Sequence, residues 1–444
     1  MFLCSHVQAS PAATVDALAK PTKPSTSSLL RLPPLLPTSN HDRHSSPSPK
    51  PRNQCSPGHV VEEPQNERFH KQPGDAMTYL PSSATTFTIP SVYDGVHLDC
   101  RVYLPRELTQ PNDDALTWCV RGAIVAHPYA PLGGCCDDPV VSFVGGELLE
   151  QGYVVGTFNF RYVPDICSWY SFGIYICVIL GIALLYIILS MLMRSSGAGS
   201  SEGRTSWTAK PELGDYVSFY GFMLLYLHIL RAERVPPVGN PSGDTIPDVR
   251  IILGGYSYGS LIASHLPTTD AVMDLFRSSV PGTAADQIWR TAKRVSDETV
   301  LQPRSLPGGS SGLGRVKDAL DFDASRVDTS YLLVSPLLPP VNLFLTLFSN
   351  LSLEVSTPGA DHKTHVPCPR SADQLCRQRT LAIYGDDDTF TSAQKLRRWA
   401  QDMSQNVSSK FESVEVDGVG HFWREEGAEA RARTALRDWV RRIP

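Results

Sequence analysis

Apolar and polar residues follow two rhythms along this chain. TFTIPSV (86–92) and VHLDCRVYLP (96–105) alternate apolar and polar positions on either side of Tyr-Asp-Gly, which predicts an opening β-hairpin. Short continuous apolar runs follow: RGAIVAHP (121–128), YVVGTFNF (153–160), VRIILGG (249–255), SYLLVSP (330–336) and RTLAIYG (379–385). Runs of this kind predict parallel strands buried on both faces. FESVEVDG (411–418) alternates more and predicts a further strand. Between them lie segments of helical period, VVSFVGGELLEQG, LGDYVSFYGFMLLYLHILRAE, SLIASHL, AQKLRRWAQDMSQ and AEARARTALRDWVRRI. Strands alternating with helices predict an α/β fold with a mainly parallel twisted sheet flanked by helices.

Two stretches break this rhythm. Residues 266–328 hold two short helical patterns and the linker PGGSSGLG, and they predict a small cap inserted between strands. Residues 353–375 read as a loop. Residues 1–76 are rich in Pro, Ser, Thr and His and poor in aromatics. Such a segment buries too little apolar surface to offset its ordering entropy, so disorder is expected there. The folded domain is expected over 77–444, with Met77 as an alternative start.

A third departure is the uncharged apolar run 166–193, ICSWYSFGIYICVILGIALLYIILSMLM. It exceeds the roughly 20 residues that span a bilayer. Yet it follows one strand of the predicted sheet and precedes most of the others. A single pass would put the two halves of one sheet on opposite sides of a membrane. Three arrangements answer this: a hairpin whose ends return together, a domain split by the run, or a foreign insert such as translated intron sequence. The third is the reading adopted, because removing 162–196 joins FNFR to GAGSSEG and restores a short turn after a parallel strand. The location expected is cytoplasmic without the insert and membrane-associated, through 166–193, with it.

Composition narrows the function classes. The net charge of -5 leaves no basic excess to displace counterions from phosphates, so no nucleic-acid partner is expected. The 10 cysteines include no Cys-x-x-Cys pair, which disfavours structural zinc and fits a reducing compartment. No secretory leader is read, and the sequons at Asn350 and Asn406 are taken as silent. His362, His365 and Cys368 share no predicted element and are not read as a metal site; neither metal nor cofactor is expected. Trp399 and Trp439 are expected to anchor the core, and Arg424, Arg431, Arg433, Arg437, Arg441 and Arg442 to lie on a solvated helix face.

Gly-x-Ser-x-Gly occurs three times, around Ser201, Ser257 and Ser310. A nucleophile elbow needs a strand before the serine and a helix after it. Only Ser257, between VRIILGG and SLIASHL, has both; the other two lie in polar Gly/Ser loops. A serine hydroxyl needs a base, and the base an acid that holds its tautomer. Downstream, RTLAIYG runs into Asp386, Asp387 and Asp388, and FESVEVDG runs into His421. A carboxylate and an imidazole thus each follow a strand end, where open sheets place their sites.

These pieces resemble the α/β-hydrolase superfamily, in the branch with a His-Pro oxyanion loop and an Asn-Phe-Arg-Gly turn. The matching segments are HPYAPLGG (127–134), FNFR (158–161) continuing at GAGSSEGRTSW (197–207), GYSYG (255–259), YGDDDTFTS (384–392) and GVGHFW (418–423). The run between Arg161 and Gly197 departs from that pattern. The resemblance implies an α/β-hydrolase fold and a Ser257–His421–Asp388 triad, Asp388 being chosen by the Gly-x-x-Asp pattern laid on Gly385. It implies oxyanion donors at the backbone of Tyr258 and Tyr129. His127 is read as anchoring its own loop, and Arg161 as tying its own turn. The expected reaction is hydrolysis of a small-molecule acyl substrate: a carboxylic ester first, then thioester, amide or peptide. A membrane-tethered, non-catalytic relative and an acyltransferase are the alternatives.

Overall fold

The apolar runs become strands because both of their faces are covered. In a computed structural model, residues 79–109, 119–161, 201–203, 205–206, 208–234, 249–277, 280–300, 323–346, 351–356 and 363–443 are described. All of them belong to the unit Lys71–Pro444. The disordered segment, Met77 and the apolar insert of the sequence reading lie outside the described residues.

The strands are β1 (Thr85–Pro90), β2 (His97–Tyr103), β3 (Arg121–Ala126), β4 (Val154–Phe158), β5 (Val249–Tyr256), β6 (Val327–Val334), β7 (Leu353–Val355), β8 (Thr364–Val366), β9 (Arg379–Asp387) and β10 (Phe411–Gly420). Eight of them form one sheet in the order β1-β2-β4-β3-β5-β6-β9-β10. β2 is antiparallel to β1 and β4; the other neighbouring pairs are parallel. The β1–β2 hairpin sets Phe87 opposite Cys100 and Ile89 opposite Leu98.

Alternate residues of each central strand face opposite layers, as the twofold period of a strand dictates. Ala123, Val125, Ile252, Leu332, Leu381 and Ile383 point to one face. There they meet helices α1 (Pro139–Glu150) and α8 (Ala428–Arg441). Ile124, Ile251, Leu253, Leu333 and Ala382 point to the other. That layer contains α2 (Lys210–Arg234), α3 (Tyr258–Ala263), α4 (Thr269–Arg277), α5 (Ala284–Val300), α6 (Ser371–Arg377) and α7 (Ala393–Ser404). Among the described residues, one helical stretch, Lys210–Ala232, is long and apolar enough to cross a membrane. Its apolar window is 94% buried inside the protein, so it serves as a core helix.

Three expectations change. The described part of 266–328 does not form a cap. In α4, Phe276 packs against Gly221 of α2, and Thr269 bonds Thr329 near the start of β6. In α5, Thr299 bonds Tyr226 of α2. Both helices therefore lie on the sheet's second layer, and α4 sits at the opposite strand ends from Ser257. Residues 301–322 lie outside the described residues. The stretch 353–375 is not all loop, because β7 pairs with β8 and α6 begins at Ser371. The basic face of α8 is only partly solvated. Arg433 is buried and pairs with Glu429, and Arg437 grips the buried Glu147 of α1 with two hydrogen bonds of 2.8 Å.

The chain winds from β3 to β4 on one side and then crosses to β5 on the other. Strand order reverses between β3 and β5, and such a switch opens a crevice at their carboxyl ends. The loop after β3 and the turn after β5 border that crevice.

Candidate active site

β5 ends at Tyr256, α3 begins at Tyr258, and Ser257 is the hinge. Its φ of 55° and ψ of -113° lie where a residue with a Cβ is strained. The turn is held by Ser257 N–H donating to Val334 O at 2.8 Å and by Ser260 N–H donating to Ser257 O at 3.1 Å. Both flanking glycines are steric necessities. A Cβ on Gly255 would lie 2.3 Å from the Gly259 carbonyl carbon, and one on Gly259 would lie 2.4 Å from Ala126 O at the end of β3. These contacts press the start of α3 against the β3 loop.

His421 follows β10 and is 3% exposed, against 7% for Ser257 and for Asp388. Its Nε2 lies 2.9 Å from Ser257 Oγ, and its Nδ1 lies 2.6 Å from Asp388 Oδ2. The other oxygen of Asp388 accepts from Phe390 N–H at 2.8 Å and from Thr391 N–H at 2.9 Å. A carboxylate can only accept, so Nδ1–H faces Asp388, and Nε2 is left to accept from the serine hydroxyl. Of the three consecutive acids, Asp386 instead accepts from Gly418 N–H, and Asp387 is exposed. The structure thus brings Ser257, His421 and Asp388 into one hydrogen-bonded line.

Two contacts that sequence reasoning missed hold the histidine loop. Tyr256 is buried, and its hydroxyl donates to the His421 carbonyl at 2.9 Å. Trp423 donates its indole N–H to Ser335 Oγ at 2.9 Å, beyond the end of β6. No local pattern announces either partner, since each joins residues far apart in the chain.

Tyr258 directly follows the nucleophile, and its ring centre lies 4.9 Å from that of Tyr129. Tyr129 sits on a tight loop, in which Leu132 N–H donates to Tyr129 O at 3.0 Å and Gly133 turns at a φ of 87°. The loop's anchor is His127, fully buried. Its Nε2 accepts from Phe160 N–H at 2.9 Å, so its Nδ1–H donates to Pro128 O at 2.6 Å. Burial lowers its pKa to about 4, which keeps the ring neutral. His127 is thus a clip between the β3 and β4 loops.

Behind the site, buried Arg161 donates from Nε to Asp215 Oδ2 at 2.9 Å and from Nη1 to Asp94 Oδ2 at 2.6 Å. Ser201 donates to Asn159 O and accepts from Asp99 N–H, each at 2.8 Å. Thr205 donates to Arg161 O at 3.1 Å. The chain therefore leaves the described domain at Arg161 and rejoins it at Ser201 on the same rim.

Among the described residues, Asp386, Glu415 and Asp417 lie close enough to share a cation. Arg397 already grips Glu415 with Nε and Nη2, so this cluster reads as an ion-paired surface.

No family model and no curated protein matches the chain. Solved structures resemble it at low identity. One is an α/β serine hydrolase without lid from Xanthomonas campestris, 17% identical, covering 82% of this chain and 95% of its own at a TM-score of 0.38. Another is an α/β serine hydrolase homologue from Coxiella burnetii, 13% identical over 80% of this chain and 96% of its own, with a TM-score of 0.39. A third is esterase 2 of Thermogutta terrifontis, 13% identical over 81% and 93%, with a TM-score of 0.38. The chain's own strand order, its single reversed strand β2 and the strained turn between β5 and α3 give it the α/β-hydrolase fold.

Proposed function

We propose that the chain is a serine hydrolase that cleaves a carboxylic ester of a small molecule. The observation that carries this reading is His421, whose two ring nitrogens reach Ser257 Oγ and Asp388 Oδ2 at once. His421 Nε2 takes the Ser257 proton as Oγ attacks the ester carbonyl carbon. Charge gathers on the carbonyl oxygen, toward which the backbone N–H groups of Tyr258 and Tyr129 are assigned. Asp388 steadies the imidazolium that forms. The carbonyl re-forms, the ester C–O bond breaks, and the alcohol departs with the proton from His421. A water molecule then gives its proton to Nε2 and attacks the acyl carbon. The second collapse releases the carboxylic acid and returns the proton to Ser257. No cofactor enters these steps.

The strain at Ser257 favours catalysis over a purely binding role. A φ of 55° costs about 1–3 kcal/mol, and a binding module gains nothing from holding a serine in that state. The experiment is labelling by a fluorophosphonate probe, which reacts with an activated serine. The wild-type chain is expected to label and Ser257→Ala not to. Undiminished labelling of the variant would remove the nucleophile assignment.

A further inference from the structure

We infer that the alcohol half of the ester is apolar, and that Phe390 and Phe422 form the wall against which it packs. This rests on the serine-hydrolase reading above. The base that takes the serine proton must later hand it to the departing oxygen, so that oxygen comes within about 3 Å of His421 Nε2. Whatever carbon is bonded to it then lies in the shell beside the imidazole.

Among the described residues, three aromatic rings occupy that shell. Phe390 lies 4.5 Å from the imidazole centre, Phe422 5.5 Å and Tyr256 5.6 Å. Tyr256 is sealed inside at 2% exposure, with its hydroxyl committed to the His421 carbonyl. Phe390 and Phe422 keep part of their surface open, and they meet edge to face at 5.9 Å. Of the three, only this pair can touch a bound molecule. The Phe390 backbone is also held in place, since its N–H donates to Asp388 itself.

Two charged groups border this shell. Asp138 caps α1 by accepting from Val140 N–H at 2.8 Å. The Arg424 guanidinium lies over the Phe422 ring, 5.3 Å from its centre. Arg424 thus borders the Phe422 side of the wall, and beside Phe390 a leaving alcohol meets carbon. Covering two half-open phenyl rings with an apolar group is favourable. A hydroxyl-rich alcohol would give up its hydration there and find no partner on the rings.

The test holds the acyl group constant and varies the alcohol. Benzyl acetate and 2-methoxyethyl acetate have alcohols of similar acidity but opposite polarity. The full chain is expected to favour benzyl acetate in kcat/KM by about tenfold or more. Phe390→Ala and Phe422→Ala should each lose most of that preference. Phe390→Leu, which restores apolar bulk, should regain much of it. Equal activity of the wild-type chain on both esters would overturn the inference. So would a parallel fall on both esters in the alanine variants, since that is the mark of rings that merely shield the imidazole. Fluorophosphonate labelling of the same proteins separates the two readings. A flat ester preference with labelling that depends on Ser257 removes the aromatic wall alone. Labelling that survives Ser257→Ala removes the nucleophile, and the wall falls with it.

Discussion

Ser201 and Ser257 sit in the same five-residue pattern and are almost equally buried, at 6% and 7% exposure, yet only one faces a base. The Ser201 hydroxyl spends both of its roles on backbone, accepting from Asp99 and donating to Asn159. The Ser257 hydroxyl meets an imidazole nitrogen at 2.9 Å. The pattern supplies small neighbours in both places, and what differs is the frame around it. β5 and α3 drive Ser257 into a left-handed turn above the sheet, whereas Ser201 ties strand β2 to the segment just after β4 and acts as a rivet. Reactivity here belongs to strand, turn and helix together, and the pentapeptide alone does not carry it. Ser310, the third serine of this pattern, lies outside the described residues.

The sharpest way to break this contrast is to remove each hydroxyl in turn. Ser257→Ala should lower kcat/KM for an ester by about 10,000-fold or more while the protein stays folded. Ser201→Ala should do the reverse. Activity at low temperature should survive, but stability should fall by about 1–2 kcal/mol, because the substitution orphans a part-buried N–H and a buried carbonyl. Ester turnover and the midpoint of urea unfolding measure the two effects. A large loss of turnover in folded Ser201→Ala would dissolve the distinction.

The tyrosines on either side of Ser257 sharpen the comparison at smaller scale. Tyr256 donates its hydroxyl to the His421 carbonyl. Among the described residues the buried hydroxyl of Tyr258 finds no hydrogen-bond partner. Tyr256→Phe frees the backbone beneath the base, and kcat should fall about tenfold with KM little changed. Tyr258→Phe keeps the backbone N–H and removes an unpaired hydroxyl, so activity should hold and stability should hold or rise. Steady-state kinetics on one ester, with unfolding curves, decides both; equal kinetic losses in the two variants would overturn the positioning role of Tyr256.

What was legible in the sequence follows from the same contrast. Strands such as Arg121–Ala126 and Val249–Tyr256 are buried on both faces, so they read as unbroken apolar runs. Ser257 and Asp388 could be proposed because each follows such a run, and His421 because it follows the more alternating β10. The described helices of 266–328 depart from the cap reading for a physical reason. α4 and α5 carry exposed Asp274, Arg277, Arg290 and Arg294 and resemble surface helices, and only tertiary packing decides which surface they cover. The β7–β8 hairpin is short and polar enough to pass for loop. Arg433 and Arg437 look like solvated charge until Glu147 of α1 is placed beneath them. The bond from Tyr256 to His421 spans 165 residues and ends on a backbone carbonyl, which no side-chain pattern encodes.

The smallest expected effect lies in the loop that Ser201 rivets. Glu212 is fully buried and accepts from Ser206 N–H at 2.6 Å and from Ser206 Oγ at 2.9 Å. Burial, and then the neighbouring Asp215 carboxylate, push its pKa up to about 7, although the Ser206 bond and Arg161 pull the other way. In the unfolded chain the same group titrates near an ordinary glutamate value of about 4.3. The folded state therefore binds the proton more tightly. Its contribution to stability is complete below the unfolded pKa and is lost as pH rises through about 7. Glu212→Gln stays neutral throughout, so its stability relative to wild type should improve between pH 5 and pH 8 by on the order of 1 kcal/mol. Urea unfolding of both proteins at the two pH values measures the difference. A gap between them that does not change with pH would show that Glu212 is ionised in the folded state across this range. The Ser201 loop would then be pinned by a buried charge, with Ser206 and Arg161 left to compensate it.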